Sequence, residues 1–319
     1  MASRKAPGRA DRDGISLIEL MEMFPDEAAA TRWFEGTVWG GQRCCGKCGS
    51  TNTRPVPNAK PMPYWCSDCR GYFSVRTGTA IARSNVPLRK WAIAIYLCLT
   101  SLKSVSSMKL HRDLDVSQKT AWFMLHRIRE AWAAESGGAF RGPVEADETF
   151  VGGKAKNMHR SSPRRQAEKM AVAGVKDRRT RRVRARVVQR LDSRTLCGFV
   201  ERHAPGAFVY TDDASAYEAL DRRAAVRHSA GEYVKGQAHI NGMESFWSML
   251  KRAYVGTFHK LSPKHLDRYV QEFAAKHNIR DSSTIAQMRL TVGRLVGRNL
   301  LYRDLIADTG LPSGARRAR

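Results

Sequence analysis

No apolar run in this 319-residue sequence approaches the ~20 residues needed to cross a bilayer. The basic opening, MASRKAPGRADRDG, is followed by no signal-type apolar stretch. These absences exclude a membrane-spanning protein and point to the cytoplasm. Acid is also scarce: 30 Asp+Glu stand against 55 Lys+Arg, a net charge of +25, with a pI near 10.3. That balance implies a polyanionic partner, nucleic acid before a membrane surface. There is no internal repeat. Apolar residues make up 42%, enough to bury a core, and the length accommodates two or three domains.

Cysteines are few and odd in number: seven, at 44, 45, 48, 66, 69, 98 and 197. An odd, clustered set without a signal sequence argues against a disulfide framework. Cys45-Gly-Lys-Cys48 and Cys66-Ser-Asp-Cys69 are two knuckles separated by seventeen residues. Two such turns can offer four thiolates tetrahedrally to one Zn²⁺, and four protein sulfurs leave no open position, so the site is expected to be structural. Cys44 could replace Cys45 only by spoiling the spacing. Cys98, in WAIAIYLCLT, and Cys197 read as core.

Residues 1–14 read as a disordered basic tail. Segment 15–83 carries two short helices on either side of Pro25 and then the cysteine ribbon. Segment 84–136 is helical and ends in SVSSMKLHRDLDVSQKTAWFMLHRIREAW, a helix-turn-helix candidate. Ser117 can cap its second helix, whose buried stripe is Ala121, Met124, Leu125 and Ile128. Gln118, Lys119, His126, Arg127 and Arg129 then remain for DNA. A recognition helix offers its N-terminal residues to base edges, which singles out Gln118, Lys119 and Trp122. Any helical hairpin could share this pattern.

The glycine-rich SGGAFRGP reads as a linker, and beyond it the period changes. VEADETFVGG, AVAGV, VRARVVQRL and AFVYTDD are short and β-branched, as strands are, with a helix at about 193–203 before the last. After Ala214 the pattern reads as helical, through 241–254 and 263–277. A mixed α/β domain over 140–281 is expected. Residues 282–319 form an unassigned C-terminal extension.

Asp147 lies in the first strand of that domain and Asp212 ends the last. Aspartates at strand ends often only form turns. The alternative is a shared Mg²⁺ site, since hard divalent ions want carboxylate oxygens and phosphoryl transfer uses two of them. In HINGMESFWSMLKR, Glu244, Ser248 and Lys251 share one helical stripe while Phe246, Trp247 and Leu250 can face a core.

VEADETFVGGK, VYTDDASAY and HINGMESFWSMLKR, in this order, resemble the bacterial insertion-sequence DDE transposases of the ISXO2-like family. FPDEAA, the knuckles, FSVRTGTAIARSNVPLRKW and the helix-turn-helix extend the resemblance over about residues 15–281. It implies an RNase H-like fold with its first and fourth strands side by side. Asp147, Asp212 and Glu244 then become ligands of two catalytic ions, Mg²⁺ or Mn²⁺, and Lys251 a basic contact near the scissile phosphate. Asn241, one turn before Glu244, is an alternative third ligand, because this family is often described with asparagine there. Glu148 and Asp213, next to the ligands in their strands, should face away from the metals. The implied partners are double-stranded DNA, as terminal inverted repeats and as target, and a second copy of the chain or more. The implied place is the bacterial cytoplasm, at the nucleoid when bound.

Between Lys154 and Arg190 there are fourteen Lys/Arg and two acids, a net of +12. Arg164 and Arg165 in one loop, and Arg181 and Arg182 in an expected hairpin turn, are candidate phosphate contacts, which position DNA without reading it. Two other readings stay open: a DNA-binding regulator derived from a transposase, and a Mg²⁺-dependent structure-specific nuclease.

Overall fold

The computed structural model describes residues 13–133, 137–152, 169–226 and 239–311. They divide into two compact units: residues 13–133 with 279–307, and the described part of 137–278 with the residues after 307.

In the first unit, Pro25 separates α1 (Leu17–Met23) from α2 (Glu27–Trp39). Ser16 and Glu19 cap α1 reciprocally, and Asp26 caps α2. β1 (Thr53–Pro55), β2 (Tyr64–Cys66) and β3 (Gly71–Phe73) form an antiparallel ribbon. Tyr64 and Phe73 on its inner face pack against Trp39 of α2. α3 (Leu88–Thr100) starts at Pro87 without a local side-chain cap. Glu27 supplies one from afar, accepting the Leu88 and Arg89 N–H groups at 2.7 and 2.9 Å. α4 (Ser107–Leu114) and α5 (Gln118–Glu130) make the helix-turn-helix. Asp115 takes the left-handed turn conformation between them, and Ser117 caps α5 as its sequence predicts.

The second unit begins with β4 (Val144–Gly152), β5 (Lys169–Asp177) and β6 (Val183–Val188), followed by α6 (Ser193–His203) and β7 (Val209–Asp212). Then come β8 (Arg223–Val226), α7 (Asn241–Ala253) and α8 (Pro263–Ile279). The sheet order is β6-β5-β4-β7-β8. The first three strands pair antiparallel, and β4–β7 and β7–β8 pair parallel. Strand alternation sends Val144 and Ala146 into the core under α6, with Leu196 and Val200. The opposite face carries Val172 and receives Met243, Phe246 and Trp247 of α7 with Val270 and Phe273 of α8. This mixed five-stranded sheet with helices is RNase H-like.

One expectation is corrected here. The stretch after Ala214 is not wholly helical: Arg223–Val226 pairs in parallel with β7 over four residues, too short a run for alternation to reveal. The glycine-rich linker is well held. Phe140 is buried, with its N–H on the His203 carbonyl at 2.7 Å, and Arg184 bonds the Gly137 and Gly138 carbonyls.

The chain finally returns to the first unit. α9 (Thr284–Gly293) packs on α2 and α3, and Ala80 and Gly78 exchange backbone hydrogen bonds with Leu295 and Gly297. α10 (Tyr302–Ile306) sets Tyr302 edge-on to Trp122 and Phe123 of α5.

Candidate active site

Asp147 sits in the middle of β4, on the α7 face, opposite Gly174 of β5. The glycine matters for steric reasons. A Cβ there would lie 2.4 Å from the Met243 side chain and 2.7 Å from the Trp247 ring, so only glycine lets α7 come this close. Trp247 is 3% exposed, and its indole N–H donates to Asp147 Oδ2 at 3.0 Å. The sequence reads Trp247 as core; it is core with a polar tip, and a buried indole N–H needs such an acceptor.

Val144 and Glu145 of β4 pair with Val209 and Tyr210 of β7, so the same register carried forward sets Asp147 level with Asp212. Burial pushes the Asp147 carboxyl up to about 7, reinforced by the negative charges of Asp212 and Glu148. The Asp212 side chain accepts the Ala214 N–H at 3.2 Å, which closes the turn after β7.

Glu148 departs from the expectation that it lies apart from its neighbour. It does belong to the other face of β4, where it accepts the Tyr217 hydroxyl at 2.8 Å. Yet β7 ends at Asp212, so β4 beyond Asp147 has an open edge, and Glu148 borders the same cavity as Asp147. Burial raises the Glu148 carboxyl and the Tyr217 hydroxyl above their ordinary values.

The cavity, about 620 Å³, is lined by Asp147, Glu148, Glu244, Trp247, Lys251 and Arg252 among others. Glu244 comes from the first turn of α7 and Lys251 and Arg252 from its last, and the apolar side of the helix is held by Met243, Phe246 and Leu250. Asn241, the first residue of the helix, is exposed and does not line the cavity. Asp147, pushed toward neutrality, borders one cavity with Glu148 and the exposed Glu244, and carboxylate oxygens are the donors a hard divalent cation takes; among the described residues these acids do not converge as the four cysteines do.

The four cysteines of the knuckles converge, with all sulfurs within 4.8 Å of one another. Cys45–Cys69 and Cys48–Cys66 Sγ separations are 3.7 and 3.6 Å. A tetrahedral zinc with ~2.3 Å Zn–S bonds has edges of about 3.8 Å, so the cluster fits and suggests zinc. Without a metal the thiols share their protons unequally: the backbone N–H of Cys69 helps hold Cys66 down to about 7, while burial and the neighbouring thiols push Cys69 up to about 12. Cys44 stays outside the cluster.

The helix-turn-helix reading needs correction. His126, Arg127 and Arg129 are 0%, 7% and 2% exposed, so they do not face solvent. Arg127 stacks 4.2 Å over Phe123, and burial lowers its pKa. Charge made them look external, but α5 is covered on more sides than a surface helix. Gln118 and Lys119 are exposed; the Gln118 amide bonds Ser107, and the Lys119 ammonium lies 4.5 Å over the Tyr302 ring. Trp122 is half-buried against Tyr302. Arg181 is exposed and Arg182 half-buried at the β5–β6 turn, while Arg164 and Arg165 lie outside the described residues. Among the described residues no helix is long and apolar enough to cross a membrane.

Strand order and mixed sheet place the second unit in the RNase H-like class, the fold of polynucleotidyl transferases. Comparison with known proteins narrows the class. The family described as the ISXO2-like transposase domain matches residues 139–278. Over 278 residues the chain is 31% identical to an uncharacterized protein in transposable element ISH50 of Halobacterium salinarum, covering 81% of this chain and 93% of that protein. The chain belongs to the ISXO2-like DDE transposase family. That relative is archaeal, whereas the elements the motifs resemble are bacterial.

Proposed function

We propose that this protein is the transposase of an insertion sequence: it binds the terminal inverted repeats, cuts at the element's ends and joins them to target DNA. The observation that carries the reading is the cavity where Asp147 of β4 meets Glu244 and Lys251 of α7, with the charge of Asp212 felt at Asp147. Asp147, Asp212 and Glu244 are the residues that would hold Mg²⁺ or Mn²⁺. Two such ions would supply activation of the attacking oxygen and stabilisation of the leaving oxygen. Glu244 is preferred to Asn241 as the third ligand, because it borders the cavity and carries a charge.

The other residues act around this set. Trp247 fixes the Asp147 carboxylate through its indole N–H. Lys251 and Arg252 offer positive charge to the phosphates flanking the cut. Cys45, Cys48, Cys66 and Cys69 hold a structural Zn²⁺ that keeps the ribbon folded. Gln118, Lys119 and Trp122 meet the terminal repeats, and Arg181 and Arg182, with Arg164 and Arg165, contact the backbone. Two ends must be cut and joined together, so the working form is a dimer or larger on DNA.

The test is a labelled duplex carrying the element's terminus, incubated with protein and Mg²⁺ or Mn²⁺. The expected result is cleavage at the element boundary that Asp147→Ala and Glu244→Gln abolish and Asn241→Ala spares. Binding without cleavage in either metal would instead make the protein a DNA-binding regulator. Cutting of branched DNA regardless of end sequence would make it a structure-specific nuclease.

A further inference from the structure

We propose that Glu145 is a positioning residue for this site: it fastens the first turn of α7 to the strand that carries Asp147, and so fixes where Glu244 stands. The inference rests on the function proposed above.

The first turn of any helix leaves N–H groups unsatisfied, and α7 has no local side chain to take them, its cap position being Ile240. Glu145 substitutes from 98 residues away, accepting the Met243 N–H at 3.0 Å, a donor shared with the Ile240 carbonyl. The carboxylate is 3% exposed and points at the positive end of the helix dipole. Its other oxygen receives Arg178 Nε at 3.1 Å. Arg178 also donates to the His239 carbonyl and lies over Tyr210. Lys176 donates to the Gly242 carbonyl at 3.1 Å. Residues 239, 242 and 243 are thus each held from β4, β5 or the residue that follows β5.

Gly242 makes the approach possible. A Cβ there would stand 2.6 Å from Glu145 Oε2 and 2.8 Å from Lys176 Nζ. Glu244 falls between two fastenings, one residue after the Met243–Glu145 bond and three before the Trp247–Asp147 bond. Without the first, the N-terminal side of the turn bearing Glu244 keeps the Lys176–Gly242 and Arg178–His239 bonds but loses the one that reaches its own N–H groups, and Arg178 loses the carboxylate that steadies it. The pairing of Glu27 with the uncapped start of α3 is the same device used elsewhere in the chain.

The full chain would be compared with Glu145→Ala, Glu145→Gln, Gly242→Ala and the double variant Glu145→Ala/Gly242→Ala. Val200→Ala, in the core under α6, serves as a control for general destabilisation. Two readouts are taken: cleavage rate at saturating terminal duplex, and the Mg²⁺ concentration that half-saturates the rise in melting temperature. Glu145→Ala and Gly242→Ala are expected to cut about 100-fold more slowly with an unchanged Kd for DNA. They should need roughly 10-fold more Mg²⁺. Glu145→Gln, which keeps an acceptor for Met243, should lose less. The double variant should lose less than the two single losses combined, since truncating Glu145 removes one of the two clashes and only the flexible end of Lys176 must still give way. An unchanged Mg²⁺ requirement, or losses that merely track melting temperature as in Val200→Ala, would overturn the proposal. A parent that cuts nothing would sink the transposase reading, and the Mg²⁺ titration would still decide the role of Glu145.

Discussion

Replacing Asp147 by Asn should make the metal-free protein more stable, and the gain should depend on pH. The carboxyl titrates at about 7 in the folded chain against an ordinary 3.8. From about pH 4 to 7 the unfolded chain is ionised there while the native state keeps its proton. Stability from this group is therefore fully present below pH 3.8 and lost as pH rises through 7. The full difference corresponds to roughly 4 kcal/mol, or about 2–4 kcal/mol once relaxation of a partly hydrated cavity is allowed for. Asn carries no charge at any pH, and its carbonyl can still accept the Trp247 N–H. At pH 8 without divalent metal, the unit bearing the substitution should melt about 5–15 °C higher than in the parent. The gain should fall to less than half by pH 5 and vanish near pH 3. Calorimetry across this range measures it. Saturating Mg²⁺ should reverse the order, because only the parent can bind it well. A variant no more stable than the parent at pH 8, or a gain independent of pH, would refute the crowded-carboxylate argument.

Other outcomes follow from the same geometry. Stripping zinc with a chelator, or Cys48→Ser, should abolish binding to the terminal duplex and leave the melting of the RNase H-like unit unchanged. Lys251→Ala should slow cleavage about tenfold, the worth of roughly 1.4 kcal/mol, without changing the Mg²⁺ needed; rates at saturating duplex decide it. Met288→Ala, in the fully buried heart of α9, should destabilise the first unit by about 2–5 kcal/mol and weaken DNA binding, read by denaturation and gel shift.

The parts visible in the sequence are those whose cause is local. Two Cys-x-x-Cys turns carry their own geometry, and Ser117 before a periodic run announces a cap. The run at 171–175 is apolar throughout because each face of the sheet meets a core, and the run at 144–152 shows as a strand by its β-branched residues. Asp147 and Asp212 stand out by their order with HINGMESFW, and the β4–β7 register carried forward sets them level. What escaped depends on distant partners. Arg127 looks like a DNA contact until Phe123 and the packing of α5 enclose it. Glu148 alternates away from Asp147 as strands require, yet an early end to β7 opens the edge where both border one cavity. The linker glycines carry no sign in the sequence that Arg184 holds their carbonyls, because that partner lies more than forty residues on. Glu145 gave no signal, because its partner Met243 lies 98 residues on.

The return of residues 279–307 to the first unit bears on synthesis. The segment carrying the ribbon and the helix-turn-helix leaves the ribosome early, but α2 and α3 wait for α9, and α5 waits for Tyr302. A nascent or prematurely terminated chain therefore lacks a finished first unit. On the function proposed above, copies of the gene broken after α8 should not accumulate products that occupy the element's ends and block the full-length chain.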